Sequence, residues 1–119
     1  MLQVLLIDDN PAQLQVRQAV LQQAGFSVST AMTAEQALAY LRNPESAARF
    51  GVVITDHILP GDSGAMFVRQ LRELHSQVPV IVVTGLAEAE EEYADLNVTF
   101  LHKPCPPEEL IARVERLLK

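Results

Sequence analysis

Five short runs rich in valine, isoleucine and leucine recur along the chain, each followed by a stretch whose apolar residues fall at helical spacing. Strands that alternate with helices must be joined by crossovers, which makes neighbouring strands parallel and covers both faces of the sheet. The runs are Gln3 to Ile7, Phe26 to Thr30, Val52 to Thr55, Val80 to Val83 and Val98 to Leu101. The first, third and fourth are apolar almost throughout, as expected for central strands buried on both sides. The pattern predicts an α/β protein built from five βα units.

The stretches between the runs carry helix punctuation. Asn10 is a candidate cap with Pro11 in the first turn behind it; Leu14, Val16, Val20 and Leu21 follow, and Gly25 stops the helix. Thr33 to Gln36 spells T-A-E-Q, a capping-box pattern, and Pro44 ends the second helix. The third is expected from Ser63 to His75, with Met66, Phe67, Leu71 and Leu74 on one face. The segment A-E-A-E-E-E-Y-A-D-L, with few apolar anchors and a run of glutamates at 88 to 92, predicts a short or irregular fourth helix with a solvated face. Pro107 to Leu118 reads as the last helix, with Glu108 and Glu109 where the helix dipole favours acids.

At 119 residues the chain fits one domain, 1–119, without repeats, linkers or low-complexity tracts. A net charge of -6 leaves no basic stripe for phosphate backbones, so direct nucleic-acid binding is not expected. The single cysteine, Cys105, forms no internal disulfide and reads as a small filler near a helix start. No apolar run is long enough for a membrane helix, and the N-terminus lacks a basic region ahead of an apolar segment. A cytoplasmic protein that does not engage membranes is the expectation.

In an open parallel sheet, ligands bind outside the carboxyl ends of the strands, where the strand order reverses. The polar residues at those ends are Asp8 and Asp9, Asp56, Thr84 and Lys103. Adjacent like charges repel and resist desolvation, so V-L-L-I-D-D-N-P at 4 to 11 needs a reason for its second acid. A divalent cation supplies one: oxygen-only ligands suit magnesium, which retains several waters. A lysine and a hydroxyl beside such an ion can stabilise a transferring phosphoryl group while a carboxylate acts as its nucleophile. The chemistry indicated is phosphoryl transfer to an aspartate.

These residues resemble the receiver domain of two-component response regulators, of the chemotaxis-regulator-like kind. The matching stretches are L-I-D-D-N-P at 6 to 11, V-I-T-D-H-I-L-P-G-D-S-G at 53 to 64, V-V-T-G at 82 to 85 and H-K-P at 102 to 104. The resemblance covers essentially the whole chain. It implies a flavodoxin-like (βα)5 fold, a doubly wound five-stranded parallel sheet of strand order 2-1-3-4-5. It also implies that Asp56 accepts a phosphoryl group from a sensor histidine kinase or a histidine phosphotransfer protein. Asp9, Asp56 and the backbone carbonyl of Ile58 would ligate Mg2+, with Asp8 helping directly or through water. Lys103 would pair with Asp56 and then with the phosphoryl oxygens, Thr84 would turn its hydroxyl toward them, and Phe100 would move inward as the switch aromatic. The output would pass to an effector domain, a downstream protein or a homodimer, and Lys103–Pro104 would be a cis peptide. Such a protein catalyses its own phosphorylation and dephosphorylation, as a switch rather than a turnover enzyme.

The chain departs from the family pattern in three places. The interval from Thr84 to Lys103 is a few residues short, A-D-L-N precedes the fifth strand where the family commonly has A-G-A, and Pro106 stands where relatives have a capping residue. Ile58 and Leu86, two residues after Asp56 and Thr84, are apolar and cannot position a hydrolytic water, which predicts slow self-dephosphorylation. Gly85 should leave access for phosphodonors. His57, which follows the acceptor, is read as a surface or neighbour-packing residue able to meet a partner, and His57, His75 and His102 share no metal-ligand spacing. A phosphorylation-independent protein-binding module of the same fold is the alternative. Small-molecule phosphatase activity would need a substrate cap for which the length leaves no obvious room.

Overall fold

The computed structural model describes residues 2–59, 62–75 and 77–118. Pro60 and Gly61 of the second matching stretch, and the chain ends Met1 and Lys119, lie outside the described residues. The elements run β1 (Gln3–Ile7), α1 (Pro11–Gln23), β2 (Ser27–Ala31), α2 (Ala34–Arg42), a short α3 (Pro44–Ala47) and β3 (Phe50–Asp56). Then come the two-residue strands β4 (Ile58–Leu59) and β5 (Asp62–Ser63), α4 (Gly64–Leu74), β6 (Val80–Thr84), a 3-10 segment (Ala87–Tyr93), β7 (Thr99–His102) and α5 (Pro107–Leu118). The main sheet has the order β2-β1-β3-β6-β7, with every pair parallel. Counting only its own strands, this is the expected 2-1-3-4-5. Strands β4 and β5 form a separate antiparallel pair just beyond Asp56.

Successive strand residues point to opposite faces, and each face has its own core. Leu5, Ile7, Val53 and Val82 pack with Leu38 and Leu41 of α2 and Phe67 and Leu71 of α4. Val4, Leu6, Ile54 and Val83 pack on the other side with Leu14 and Leu21 of α1 and Leu110 and Val114 of α5. This double layer leaves the carboxyl ends of the strands as the open rim.

The helix signals operate as written, with local variations. Asn10 Oδ1 accepts from the N–H groups of Ala12 (3.0 Å) and Gln13 (3.2 Å). Gly25 follows α1 at φ 99°, in the left-handed region that glycine adopts without a Cβ clash. Thr33 Oγ1 accepts from the Gln36 N–H (3.1 Å), but Gln36 Oε1 reaches past the cap to the Met32 N–H (2.8 Å). Pro44 both ends α2 and opens α3, which Asn43 caps. Pro106 does not displace the start of α5; its carbonyl accepts from Glu109 (3.1 Å) and Leu110 (3.2 Å). The Lys103–Pro104 bond is cis, as the resemblance implied. Among the described residues, no helix is long and apolar enough to cross a membrane.

Two boundaries differ from the sequence reading in an informative way. Strand β3 begins at Phe50 and runs through Gly51, where a side chain would collide with Leu118 and Leu2, so the glycine serves close packing rather than a turn. The fourth crossover is a 3-10 segment, anchored by buried Ala89 and Tyr93. Beyond it, Asp95 (φ 66°) and Asn97 (φ 55°) adopt left-handed backbone, and Arg72 of α4 fastens this turn. Its guanidinium donates to the carbonyls of Leu96 (2.8 Å), Asn97 (3.0 Å), Val78 (2.7 Å) and His75 (3.4 Å).

Candidate phosphoacceptor site

Strand register brings the polar rim together. Ile7 pairs with Thr55, so the next residues, Asp8 and Asp56, leave neighbouring strands at the same level. Asp56 pairs with Val83, and Thr84 with His102, so Thr84 and Lys103 follow on the next two strands. The Lys103 N–H donates to the Thr84 carbonyl at 2.8 Å, fixing the last of these ends. The result is a cleft of ≈ 300 Å³ lined by Asp8, Asp9, Asp56, Ile58, Thr84 and Lys103, among others.

Carboxylate oxygens of Asp8, Asp9 and Asp56 lie within 4.8 Å of one another. Asp8 and Asp56 are buried and Asp9 is exposed, an all-oxygen donor set with one side open to solvent. That set fits a hard divalent cation that keeps part of its water shell. Lys103 Nζ stands 3.3 Å from Asp56 Oδ1. The Thr84 hydroxyl accepts from the Leu86 N–H (3.0 Å), tying down the turn that leaves β6. Ile58 and Leu86 flank the cleft, 69% and 50% exposed, and nothing lies within 4 Å of a side chain built on Gly85.

Burial, and next the adjoining Asp56 carboxyl, push the pKa of Asp8 up to about 6, while the Asn10 N–H (2.9 Å) and Arg17 draw it down. An acid whose pKa is higher folded than unfolded favours the folded state at low pH, and that stability is lost as pH rises from 3.8 through about 6. Without divalent cations, the Asp8 contribution should therefore make the protein more stable at pH 4 than at pH 7, by on the order of 2 kcal/mol. Metal ligands must be deprotonated, so magnesium should raise the melting temperature at pH 7 and hardly at pH 4. Thermal melts at the two pH values check both signs, and an equal magnesium effect at both would contradict the assignment.

An arginine–glutamine pair and a tyrosine escaped the sequence reading. Arg17 of α1 donates through Nη1 to Asp8 Oδ2 (3.1 Å) and Asp56 Oδ1 (3.4 Å). In the amide orientation that satisfies both neighbours, Gln13 donates to Asp8 Oδ2 and accepts from Arg17 Nη2, each at 2.9 Å. The available signal was that Arg17 is the one charged residue in the α1 sequence, a helical turn after Gln13. The second is Tyr93, whose hydroxyl lies 2.8 Å from His57 Nδ1. Burial and the neighbouring Glu92 raise the pKa of that hydroxyl, so it stays protonated.

His57 is buried rather than offered to a partner, with Nε2 3.3 Å from Glu92 Oε2. His102 Nε2 lies 2.9 Å from Glu90 Oε2, so the glutamate run also pairs with histidines instead of being wholly solvated. Tyr93 meets Phe100 edge to face, with ring centroids 5.4 Å apart and planes at 80°. Phe100 is partly buried against the α2/α4 core. A packed chain thus runs from the residue after Asp56, through Tyr93, to the expected switch aromatic. Cys105 packs against the α1/α5 core, where burial raises its thiol pKa, in keeping with a filler role.

Comparison with known proteins gives a consistent result. The profile of the response regulator receiver domain matches residues 4–115. The C4-dicarboxylate transport transcriptional regulatory protein DctD of Pseudomonas aeruginosa is 36% identical over 120 residues, covering 98% of this chain and 25% of DctD. The transcriptional regulatory protein AruR of the same species is 33% identical over 123 residues, covering 98% of this chain and 49% of AruR. The chain therefore spans about a quarter of one curated relative and about half of the other. The crystal structure of the chemotaxis protein CheY4 of Vibrio cholerae superposes with a TM-score of 0.85 at 32% identity, covering 99% of both chains.

Proposed function

The chain belongs to the response regulator receiver domain family, and on that premise we propose that Asp56 is its phosphoacceptor. Receiver domains of this family act in two-component signalling, interact with histidine kinases and effector domains, and generally use Mg2+ at an acidic cluster. The donor would be the phosphohistidine of a sensor kinase or phosphotransfer protein. An Asp56 oxygen attacks phosphorus, the P–N bond breaks with its electron pair returning to the donor imidazole, and an acyl phosphate remains on Asp56.

The observation that carries this reading is the convergence of three carboxylates with Lys103, whose Nζ is 3.3 Å from Asp56 Oδ1. Asp8, Asp9, Asp56 and the Ile58 carbonyl would hold magnesium, which when bound offsets negative charge on the phosphoryl oxygens. Lys103 moves its charge from the carboxylate to the phosphoryl group as the bond forms. Thr84 exchanges its bond with the Leu86 N–H for one to the phosphoryl oxygens, and Phe100 takes the space this opens. The whole chain, 1–119, serves as one receiver domain, and its output reaches an effector domain, a downstream protein or a second phosphorylated copy.

Intact-protein mass after incubation with acetyl phosphate tests the assignment. A single phosphoryl adduct is expected with magnesium, little or none without it, and none in Asp56→Asn. An unchanged adduct in that variant would remove Asp56 from its role, and no adduct in the wild type would favour a phosphorylation-independent binding module. After the donor is removed the adduct should persist, because Ile58 and Leu86 offer no group to orient an attacking water. Rapid loss would refute that part.

A further inference from the structure

Arg17 sits two turns into α1 with its side chain 11% exposed, although α1 has no other charge to explain a buried guanidinium. Through Nη1 it serves oxygens of Asp8 and Asp56, and Gln13 holds Nη2 at 2.9 Å. A cation on the chain thus uses carboxylates that a divalent ion would use. Two cations drawing on the same oxygens bind with negative coupling, and the coupling is reciprocal. Because the guanidinium is tethered, it competes at an effective concentration on the order of millimolar, whatever the surrounding solution contains.

We propose that Arg17 is a built-in competitor of the divalent cation, a tethered guanidinium that balances the acid cluster and must release Asp8 and Asp56 for the ion to be ligated by both. This rests on reading Asp8, Asp9 and Asp56 as the ion's ligands. Gln13 is a positioning residue, since its amide touches both Asp8 and the guanidinium. The displaced side chain has somewhere to go. A cleft of ≈ 320 Å³ between α1 and α5 adjoins the site, lined by Arg17 itself with Val16, Val20, Pro104 and Leu110. Its aliphatic walls suit the methylene stem, and its open side lets the charged head reach water. The consequence is a receiver whose magnesium occupancy is set below that of the same three acids without the arginine.

The experiment is a magnesium titration followed by backbone amide shifts in wild type, Arg17→Gln, Arg17→Lys and Asp9→Asn, with thermal melts of each with and without the ion. Removing the guanidinium should tighten magnesium binding by about tenfold, the coupling expected for one nearby charge pair. Arg17→Gln should melt below wild type without magnesium yet gain more from its addition. Arg17→Lys, which keeps the charge and loses the fork, should fall between the two. A purely structural arginine would lower the melting temperature and leave magnesium affinity and the magnesium-induced increment unchanged, which would overturn the proposal. Asp9 is not among the described partners of Arg17, so Asp9→Asn reports on the ligand reading separately. If that variant binds magnesium as wild type does, or wild type binds none, the ligand assignment falls and the competition with it.

Discussion

Lys103→Met should slow formation of the phosphoryl adduct by about two orders of magnitude, the usual loss when one preorganised charge is taken from a transition state. The methionine keeps much of the stem and removes only the charge now 3.3 Å from Asp56 Oδ1. Magnesium affinity should move the other way, because a cation has left the neighbourhood of the carboxylates. These opposite signs distinguish loss of transition-state stabilisation from damage to the site, in which both would decline. Time-resolved intact mass with acetyl phosphate and a magnesium titration of the same sample measure the pair. An unchanged rate of adduct formation would show that Lys103 does not act on the phosphoryl group.

The second large effect is on stability. Gly64 opens α4 where it passes under the end of β3, and its N–H donates to the His57 carbonyl at 2.6 Å. A Cβ at this position would meet the Tyr93 hydroxyl, the Asp56 carbonyl at 2.7 Å and the His57 Cα at 3.0 Å. Two of these three are backbone and cannot rotate away. Gly64→Ala should therefore cost about 3 kcal/mol, the upper part of the range for overpacking a tight site. The melting temperature should fall by roughly 10 °C. Gly85→Ala is the matched control, since no atom lies within 4 Å of its Cβ position, and it should stay within about 0.5 kcal/mol of wild type. Thermal denaturation of both variants decides it, and equal losses would mean that glycine flexibility rather than close approach matters at these positions.

Legibility in the sequence followed the range of the forces involved. Strand β1 and helix α5 have the bounds read from the chain, because continuous apolar runs, Pro107 and the early glutamates are local signals. Strand β2 lies one residue later, at Ser27–Ala31, since Phe26 belongs to the turn and packs with the α1/α5 core. Strand β3 outran its reading because the packing that needs Gly51 comes from Leu2 and Leu118, distant in sequence. The site shows the same division. Asp8, Asp9, Asp56, Thr84 and Lys103 were legible because each comes within two residues of the end of a strand run and parallel register aligns strand ends. Arg17, Gln13 and Tyr93 reach the site from helical segments, and their reach depends on how those segments rotate against the sheet. In α1 the apolar residues do not share one face, Leu14 and Leu21 being buried and Val16 exposed, so its pattern leaves that rotation open.

The turn fastened by Arg72 has a consequence in lengths. A 3-10 helix rises about 2.0 Å per residue and an α-helix about 1.5 Å, so the residues from Ala87 to Tyr93 span roughly 3.5 Å more than an α-helix of the same count. Upstream, the segment is tied to the sheet by Thr84; downstream, the carbonyls of Leu96 and Asn97 are bound to one guanidinium on α4. A crossover with few residues thus covers its distance by winding more tightly and rising more steeply per residue, drawn out between two moorings. Tyr93, which touches both His57 and Phe100, stands at the end of this drawn-out segment.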